Sequence, residues 1–168
     1  IRDSPFWELT LRSLRYVCKR MNLNLTPDYE KRLMDQYAKL TGFKDSLSVL
    51  EAIKNKGIST AILSNGSREM LATVVESNGL TAYLDRVVTV EDIRLFKTVP
   101  QAYELLLKTF PVTKGEVLFV SSNAWDALAA KWFGFDVFWV NRLGHPYEEI
   151  GEKPNYEGNS LSAVLEVI

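Results

Sequence analysis

The stretch Val117-Leu118-Phe119-Val120-Ser121-Ser122-Asn123-Ala124-Trp125-Asp126 decides the fold. It opens with four apolar residues in a row, which is typical of a strand buried on both faces. A second apolar run, Ala61-Ile62-Leu63, is followed by Ser64-Asn65-Gly66-Ser67. In both places a polar turn separates the apolar run from an amphipathic pattern with helical period. Two such units predict an α/β fold with a parallel sheet covered by helices on both faces.

The same alternation extends outward through residues 42–168. The sequence predicts helices over residues 46–56, 68–78, 100–109 and 124–133, and strands over 58–63, 86–90, 116–120 and 136–140. In the first of these helices, Leu47, Leu50 and Ile53 are expected to face inward, and Gly57 to end it. The loop-rich tail is expected to close in a helix from about residue 160. The fold class predicted is a Rossmann-like parallel sheet core.

Residues 1–41 have a different pattern, that of two amphipathic helices. The first covers residues 6–21 and the second residues 26–40, with Thr26 as N-cap and Pro27 at the first helical position. Apolar residues recur at spacings of three or four on each helix: Trp7, Leu11, Leu14, Cys18 and Met21, then Leu33, Tyr37 and Leu40. The predicted domains are a helical pair, residues 1–41, and an α/β core, residues 42–168.

Composition excludes several classes of protein. The chain has 168 residues, 20 basic and 21 acidic, with a net charge of −1. Such a balance argues against binding to nucleic acid or to an anionic membrane by bulk charge. No apolar run approaches the ~18 residues of a membrane helix. The single cysteine, Cys18, cannot form an internal disulfide. The prediction is a cytoplasmic protein without a nucleic-acid or membrane partner.

Polar residues follow several predicted strands. They are Ser64-Asn65 after the first, Lys97 a little beyond the second, Ser121 to Asp126 after the third and Asn141-Arg142 after the fourth. Ligands in open α/β sheets bind beyond the carboxyl ends of the strands. Each serine or asparagine taken alone is more often a turn or cap residue. Together these residues offer hydrogen-bond donors and a cation, which suit a carboxylate or phosphate substrate.

Three of these motifs resemble the later motifs of the haloacid dehalogenase superfamily. They are Leu63 to Ser67, the spacing from Lys97 to Tyr103, and Phe119 to Asp126. The tract Val120 to Asp126 resembles the L-2-haloacid dehalogenase branch, and the resemblance covers nearly the whole chain. It implies that residues 1–41 are the latter part of a helical cap. It also implies hydrolysis of short L-2-haloalkanoic acids to 2-hydroxy acids through an aspartyl ester, by an enzyme that is commonly a homodimer.

The resemblance also implies roles for individual residues. Lys97 would pair with the nucleophilic or the substrate carboxylate, and Ser121 would contact the lysine and the nucleophile. Asn123 and Asp126 would position the nucleophile and the hydrolytic water. The implied substrate-binding residues are Ser64 at the carboxylate, Asn65 beside the halide, Tyr103 supporting the network, and Phe6 and Trp125 as apolar walls. For Phe6 and Trp125, plain core packing is the alternative.

No metal or other cofactor is expected. Phosphatases of the same superfamily hold magnesium with several carboxylates, because this hard cation prefers oxygen ligands. Here Ser121-Ser122 stand where those enzymes carry an acidic residue, and Asp126 alone remains. Two alternatives stay open: a phosphatase or other small-molecule hydrolase of the superfamily, and a non-catalytic fragment or pseudoenzyme.

The nucleophilic aspartate of the family lies at the end of its first strand, which would precede Ile1. Asp3, Asp45 and Asp136 do not follow an apolar strand in that manner. Residues 1–168 by themselves are therefore expected to be inactive. The sheet is expected to lack a central strand and to leave two unpaired edges. A smaller departure is Thr98, where the family usually has proline after the lysine, and a modest shift of Lys97 is expected.

Overall fold

The computed structural model describes residues 4–149 and 151–168, so Asp3 lies outside the described residues. Two helices, α1 (Phe6–Arg20) and α2 (Pro27–Tyr37), precede the α/β part. There the order is α3 (Ser46–Asn55), β1 (Ala61–Ser64), α4 (Arg68–Ser77), β2 (Arg86–Thr89), α5 (Pro100–Thr109), β3 (Leu118–Ser121), α6 (Ala124–Phe133), β4 (Asp136–Val140) and β5 (Tyr156–Gly158). The predicted Rossmann-like alternation is confirmed. None of the described helices has the length and apolarity needed to cross a membrane.

The strands form two separate parallel sheets. One pairs β1 with β2, and the other has the order β3-β4-β5. Among the described residues, β1 and β3 each have one edge without a strand partner, as the sequence predicts. Between them lies a cavity of about 850 Å³. Its apolar walls come from β1, β3, α3, α5 and the tail, including Ile62, Val120, Leu50, Leu106 and Val164.

The main core packs α5 and α6 against β3 and β4. Tyr103 and Val137 have no exposed surface, and Phe119 and Phe135 are nearly buried. The Tyr103 ring meets those of Phe119 and Phe135 edge-on, with centroids 5.5 and 6.4 Å apart. Such aromatic pairs add about 0.5–1.5 kcal/mol each beyond the area they bury. This packing fixes the first turn of α6, from which the site is built.

The inward position predicted for Leu47 is wrong, because this residue is 44% exposed. Four residues of the apolar stripes predicted for the first two helices are also 38–62% exposed: Met21, Leu33, Tyr37 and Leu40. Cys18 and Met34 are the buried residues of α1 and α2. Periodicity identifies an apolar stripe but not whether another element covers it. The N-cap role of Thr26 is confirmed, since its side chain accepts a hydrogen bond from the Tyr29 N–H.

The tail also departs from prediction. Strand β5 was not expected, and the last helix is a 3₁₀ helix, Leu161–Glu166. Strand β5 pairs with β4 over only three residues, from Phe138 opposite Tyr156 to Val140 opposite Gly158. Three residues are too few for an alternating pattern to be recognised in a sequence.

Candidate active site

Asp126, in the first turn of α6, is the centre of a buried polar cluster. Its Oδ2 accepts hydrogen bonds from Lys97 Nζ at 2.9 Å and from Ser121 Oγ at 3.0 Å. Its Oδ1 accepts one from the Tyr103 hydroxyl at 2.8 Å. The four residues come from the segment before α5, from α5, from the end of β3 and from α6. The structure thus brings together four of the predicted site residues.

The ion pair between Lys97 and Asp126 is buried. The Lys97 side chain is 10% exposed and that of Asp126 is 4% exposed. A desolvated pair is tolerated when further hydrogen bonds satisfy its polar atoms, and Ser121 and Tyr103 do so for Asp126. The predicted contact between Ser121 and Lys97 takes the form of a shared acceptor, Asp126 Oδ2.

Tyr103 supports the cluster from the buried interior of the core. Its side chain has no exposed surface. Burial, the Asp126 charge and the hydrogen bond to Asp126 raise the pKa of the Tyr103 hydroxyl. The hydroxyl therefore remains a donor at neutral pH. The hydroxyl is bonded to Asp126, and the role that the resemblance implies for Tyr103 is support of this network.

Asn65 connects the loop after β1 with Lys97. The backbone N–H of Lys97 donates to Asn65 Oδ1 at 2.8 Å. Because Oδ1 accepts this bond, the Nδ2 group of Asn65 points away from Lys97. Nδ2 is a donor without a hydrogen-bond partner among the described residues. The Lys97 Nζ also lies 5.3 Å from the centre of the Phe119 ring. Despite Thr98, Lys97 reaches the Asp126 carboxylate.

The turn after β1 is held by its own polar groups. The Gly66 N–H donates to Ser64 Oγ at 3.0 Å, and the Thr89 hydroxyl donates to the Gly66 carbonyl at 2.6 Å. Ser67 caps α4 by accepting from the Met70 N–H. Ser64 Oγ accepts in this turn and keeps its proton for another partner. Thr89 was not among the residues predicted from the sequence.

The turn after β3 has a comparable support. The Asn123 N–H donates to Ser121 Oγ at 3.2 Å, while the Asn123 side chain is exposed. The indole N–H of Trp139, a buried residue of β4, donates to the Ser122 carbonyl at 3.2 Å. Trp139 is not among the residues predicted from the sequence. The available signal was that a buried indole N–H usually finds an acceptor.

The two predicted apolar walls lie in different surroundings. Phe6, in α1, contacts Phe96 edge-on, with ring centroids 6.0 Å apart, and Phe96 directly precedes Lys97. Trp125 is 43% exposed, so plain core packing is wrong for this residue. Within residues 4–149 and 151–168, no three His, Cys, Asp or Glu side chains are grouped as metal ligands.

Comparisons with known proteins identify relatives over nearly the whole chain. The model of the haloacid dehalogenase-like hydrolase family matches residues 10–134. The (S)-2-haloacid dehalogenase of Pseudomonas sp. (strain YL) is 37% identical over 162 residues, which cover 96% of this chain and 70% of that protein.

Solved structures of L-2-haloacid dehalogenases also match this chain. One L-2-haloacid dehalogenase matches with a TM-score of 0.95 and 43% identity, over 98% of this chain and 72% of that one. The L-2-haloacid dehalogenase from Xanthobacter autotrophicus with chloropropionic acid covalently bound matches with a TM-score of 0.89 and 30% identity, over 98% and 76% of the two chains. The fold, the motifs at the strand ends and these relatives place the chain in the L-2-haloacid dehalogenase family of the haloacid dehalogenase-like hydrolases.

Proposed function

We propose that the protein hydrolyses short L-2-haloalkanoic acids to 2-hydroxy acids through an aspartyl ester. The observation that carries the proposal is the buried cluster in which Lys97, Ser121 and Tyr103 all donate to Asp126 at the carboxyl end of β3. The names of the relatives support it, since they are haloacid dehalogenases. The chloropropionic acid bound covalently in one relative supports an enzyme–substrate bond.

The substrate would bind at the carboxyl ends of β1 and β3. A short 2-haloacid carries a carboxylate at one end and a small apolar group at the other. Ser64 keeps a hydroxyl proton for the carboxylate, and Asn65 Nδ2 is placed to donate to the departing halide. Phe6 and the exposed Trp125 supply apolar surface for the halogen and the alkyl group.

The attacking carboxylate would come from a strand that fills the cavity between β1 and β3. Unpaired edges on both sides and apolar walls suit one parallel strand. Lys97 also lines this cavity, so a carboxylate at the end of such a strand would lie beside an ammonium group. The described residues place no strand between β1 and β3, and the chain spans about 70% of the length of the first curated relative. Residues 1–168 alone would then be inactive.

The reaction would proceed in two displacements. A carboxylate oxygen attacks C2 of the substrate, the carbon–halogen bond breaks, and the halide leaves with the electron pair. Water then adds to the carbonyl of the ester, which releases the 2-hydroxy acid and one proton and restores the carboxylate. Lys97 would hold the nucleophile as an oriented anion, and Ser121, Asn123 and Asp126 would position it and the water.

We expect no metal or other cofactor, because Asp126 is the one carboxylate that the described residues bring to the cluster and it already accepts three hydrogen bonds. Residues 1–41 would be a partial cap and residues 42–168 the core. A cytoplasmic homodimer is expected, and the exposed apolar residues of α1 and α2 are candidates for its interface.

Halide release from the two enantiomers of 2-chloropropionate tests the proposal in the full-length protein. The L enantiomer should lose chloride without added metal, and the D enantiomer should not. The superfamily phosphatase would be favoured instead if a phosphate ester, such as p-nitrophenyl phosphate, turned over with magnesium while neither enantiomer released chloride. Absence of turnover with every substrate would favour the non-catalytic alternative.

A further inference from the structure

We propose that Asn78 and Arg142 are positioning residues that place the helical pair over the strand ends. They hold the connecting segment, residues 38–45, which joins α2 to α3. The effect on substrate binding rests on the proposed function, while the tethering itself does not.

Asn78 holds the first part of the connecting segment. Its Nδ2 donates to the Leu40 carbonyl at 2.9 Å, and its Oδ1 accepts from the Gly42 N–H at 2.6 Å. One amide side chain thus pairs with backbone groups two residues apart, as a neighbouring strand would. A Cβ added at Gly42 would lie 3.0 Å from Asn78 Oδ1, so glycine allows this close approach.

Arg142 holds the second part. Its two terminal nitrogens donate to the two carboxylate oxygens of Asp45 at 3.0 and 3.1 Å. Its guanidinium carbon lies 4.0 Å from the centre of the Phe43 ring. Asp45 Oδ2 also accepts from the Leu161 N–H at 2.8 Å. A planar fork can satisfy the carboxylate and stack on the ring at once, which the ammonium group of lysine cannot do.

The two tethers come from opposite sides of the cavity. Asn78 ends α4, which belongs with the β1-β2 sheet, whereas Arg142 follows β4 of the other sheet. The connecting segment is therefore fixed relative to both halves of the core. Each helix of the pair has a single buried residue, Cys18 or Met34. Within the described residues, the pair buries little of its own surface, so the connecting segment is an important attachment to the core.

Placement of the pair matters for the site through Phe6. This residue of α1 packs on Phe96, the neighbour of Lys97. If the connecting segment loosens, Phe6 moves away from the strand ends while the cluster around Asp126 remains intact. The expected consequence is weaker substrate binding with little change in the chemical step.

The test compares Arg142→Lys and Asn78→Ala with Arg32→Lys in the full-length protein. Arg32 is a matched control, because it also pairs with an aspartate and stacks on a ring, Asp28 and Tyr29, but is 70% exposed.

In Arg142→Lys, KM for L-2-chloropropionate should rise about tenfold with kcat within about twofold. In Asn78→Ala, the Gly42 amide should exchange with solvent about tenfold faster while amides of α5 and α6 are unchanged. Arg32→Lys should change neither quantity.

Unchanged exchange at Gly42 in Asn78→Ala would overturn the tethering, as would faster exchange throughout the core. Faster exchange in residues 38–45 with an unchanged KM in Arg142→Lys would overturn the positioning role. Should Asn78→Ala fail to fold, exchange of residues 43–45 in Arg142→Lys decides the same question. If the parent protein releases no halide, the proposed function fails, and the exchange data still decide the tethering.

Discussion

Lys97 Nζ and Asp126 Oδ2 lie 2.9 Å apart, and both side chains are almost entirely removed from solvent. The two residues come from different elements, the segment before α5 and the first turn of α6. An isolated buried charge is costly, so each residue of this pair stabilises the other. Lys97 also lines the cavity between the two sheets, which connects the pair with the position of the proposed nucleophile.

Asp126→Asn should strongly reduce both activity and stability. The substitution keeps the shape of the side chain but leaves the Lys97 ammonium without a counter-charge. Breaking a buried ion pair in this way costs about 3–5 kcal/mol of the free energy of unfolding. Urea denaturation and halide release measure the two effects. Because the lysine loses its orientation, kcat should fall by about a hundredfold or more.

Asp35→Asn is the control for this variant. Asp35 pairs with Lys31 at 2.6 Å, but the side chains are 56% and 76% exposed. Exposed pairs of this kind are worth about 0.3–0.5 kcal/mol. Equal destabilisation by the two substitutions would contradict the central place given to the buried pair.

Stability should fall in alkali because of Tyr103. Burial and Asp126 raise the pKa of its hydroxyl in the folded protein, whereas the unfolded chain has the ordinary value of about 10. Below that pH both states keep the proton, so the stabilisation is complete. Above it the unfolded state releases its proton first, and the free energy of unfolding decreases by about 1.4 kcal/mol per pH unit for this group.

Tyr103→Phe tests this pH dependence. The variant should lose about 1.5–3 kcal/mol at neutral pH, the value of a hydrogen bond to a charged group. Between pH 10 and 11 its stability should decline less steeply than that of the parent. Parallel declines in urea titrations at several pH values would contradict the assignment of the alkaline loss to Tyr103.

The cavity between β1 and β3 gives a stability prediction for the full-length protein. Val120 of β3 and Val87 of β2 are both 37% exposed in the described residues, but only Val120 lines the cavity. If a strand fills this space, Val120→Asp buries a carboxylate and should destabilise the protein by about 2 kcal/mol or more beyond Val87→Asp. Equal effects of the two substitutions would indicate that water fills the space.

Metal removal should leave activity unchanged. The proposed steps use carboxylate, ammonium and hydroxyl groups, and no metal ion activates the water. Halide release after dialysis against EDTA should match that of the untreated protein, and added magnesium should have no effect. A loss of activity that magnesium restores would contradict the proposed chemistry.

Much of the fold was predictable because buried parallel strands leave a strong pattern. The runs that end in Ser64 and Ser121 were recognisable as apolar segments followed by polar turns. The positions of Lys97 and Asp126 at the same edge followed from the parallel arrangement, because carboxyl ends of such strands meet. Their actual contact depends on side-chain conformations that sequence spacing does not determine.

Other features were not predictable for physical reasons. Leu33 and Tyr37 repeat with helical period, yet periodicity carries no information about what covers a helix. The acceptor of the Trp139 indole N–H is a backbone carbonyl, and any residue can supply one. The hydrogen bonds from Asn78 and Arg142 to the connecting segment join residues that are 36 to 97 positions apart in the sequence. A local sequence pattern cannot predict contacts at such separations.

A single turnover of L-2-chloropropionate by the full-length protein in water enriched in heavy oxygen (¹⁸O) distinguishes the aspartyl ester from direct attack by water. If an aspartyl ester forms, the oxygen of the product hydroxyl comes from the enzyme carboxylate. The expected products are unlabelled lactate, stoichiometric chloride, and one heavy oxygen in the protein. Lactate that carries the heavy oxygen after the first turnover would mean direct attack by water on C2 and would contradict the aspartyl ester.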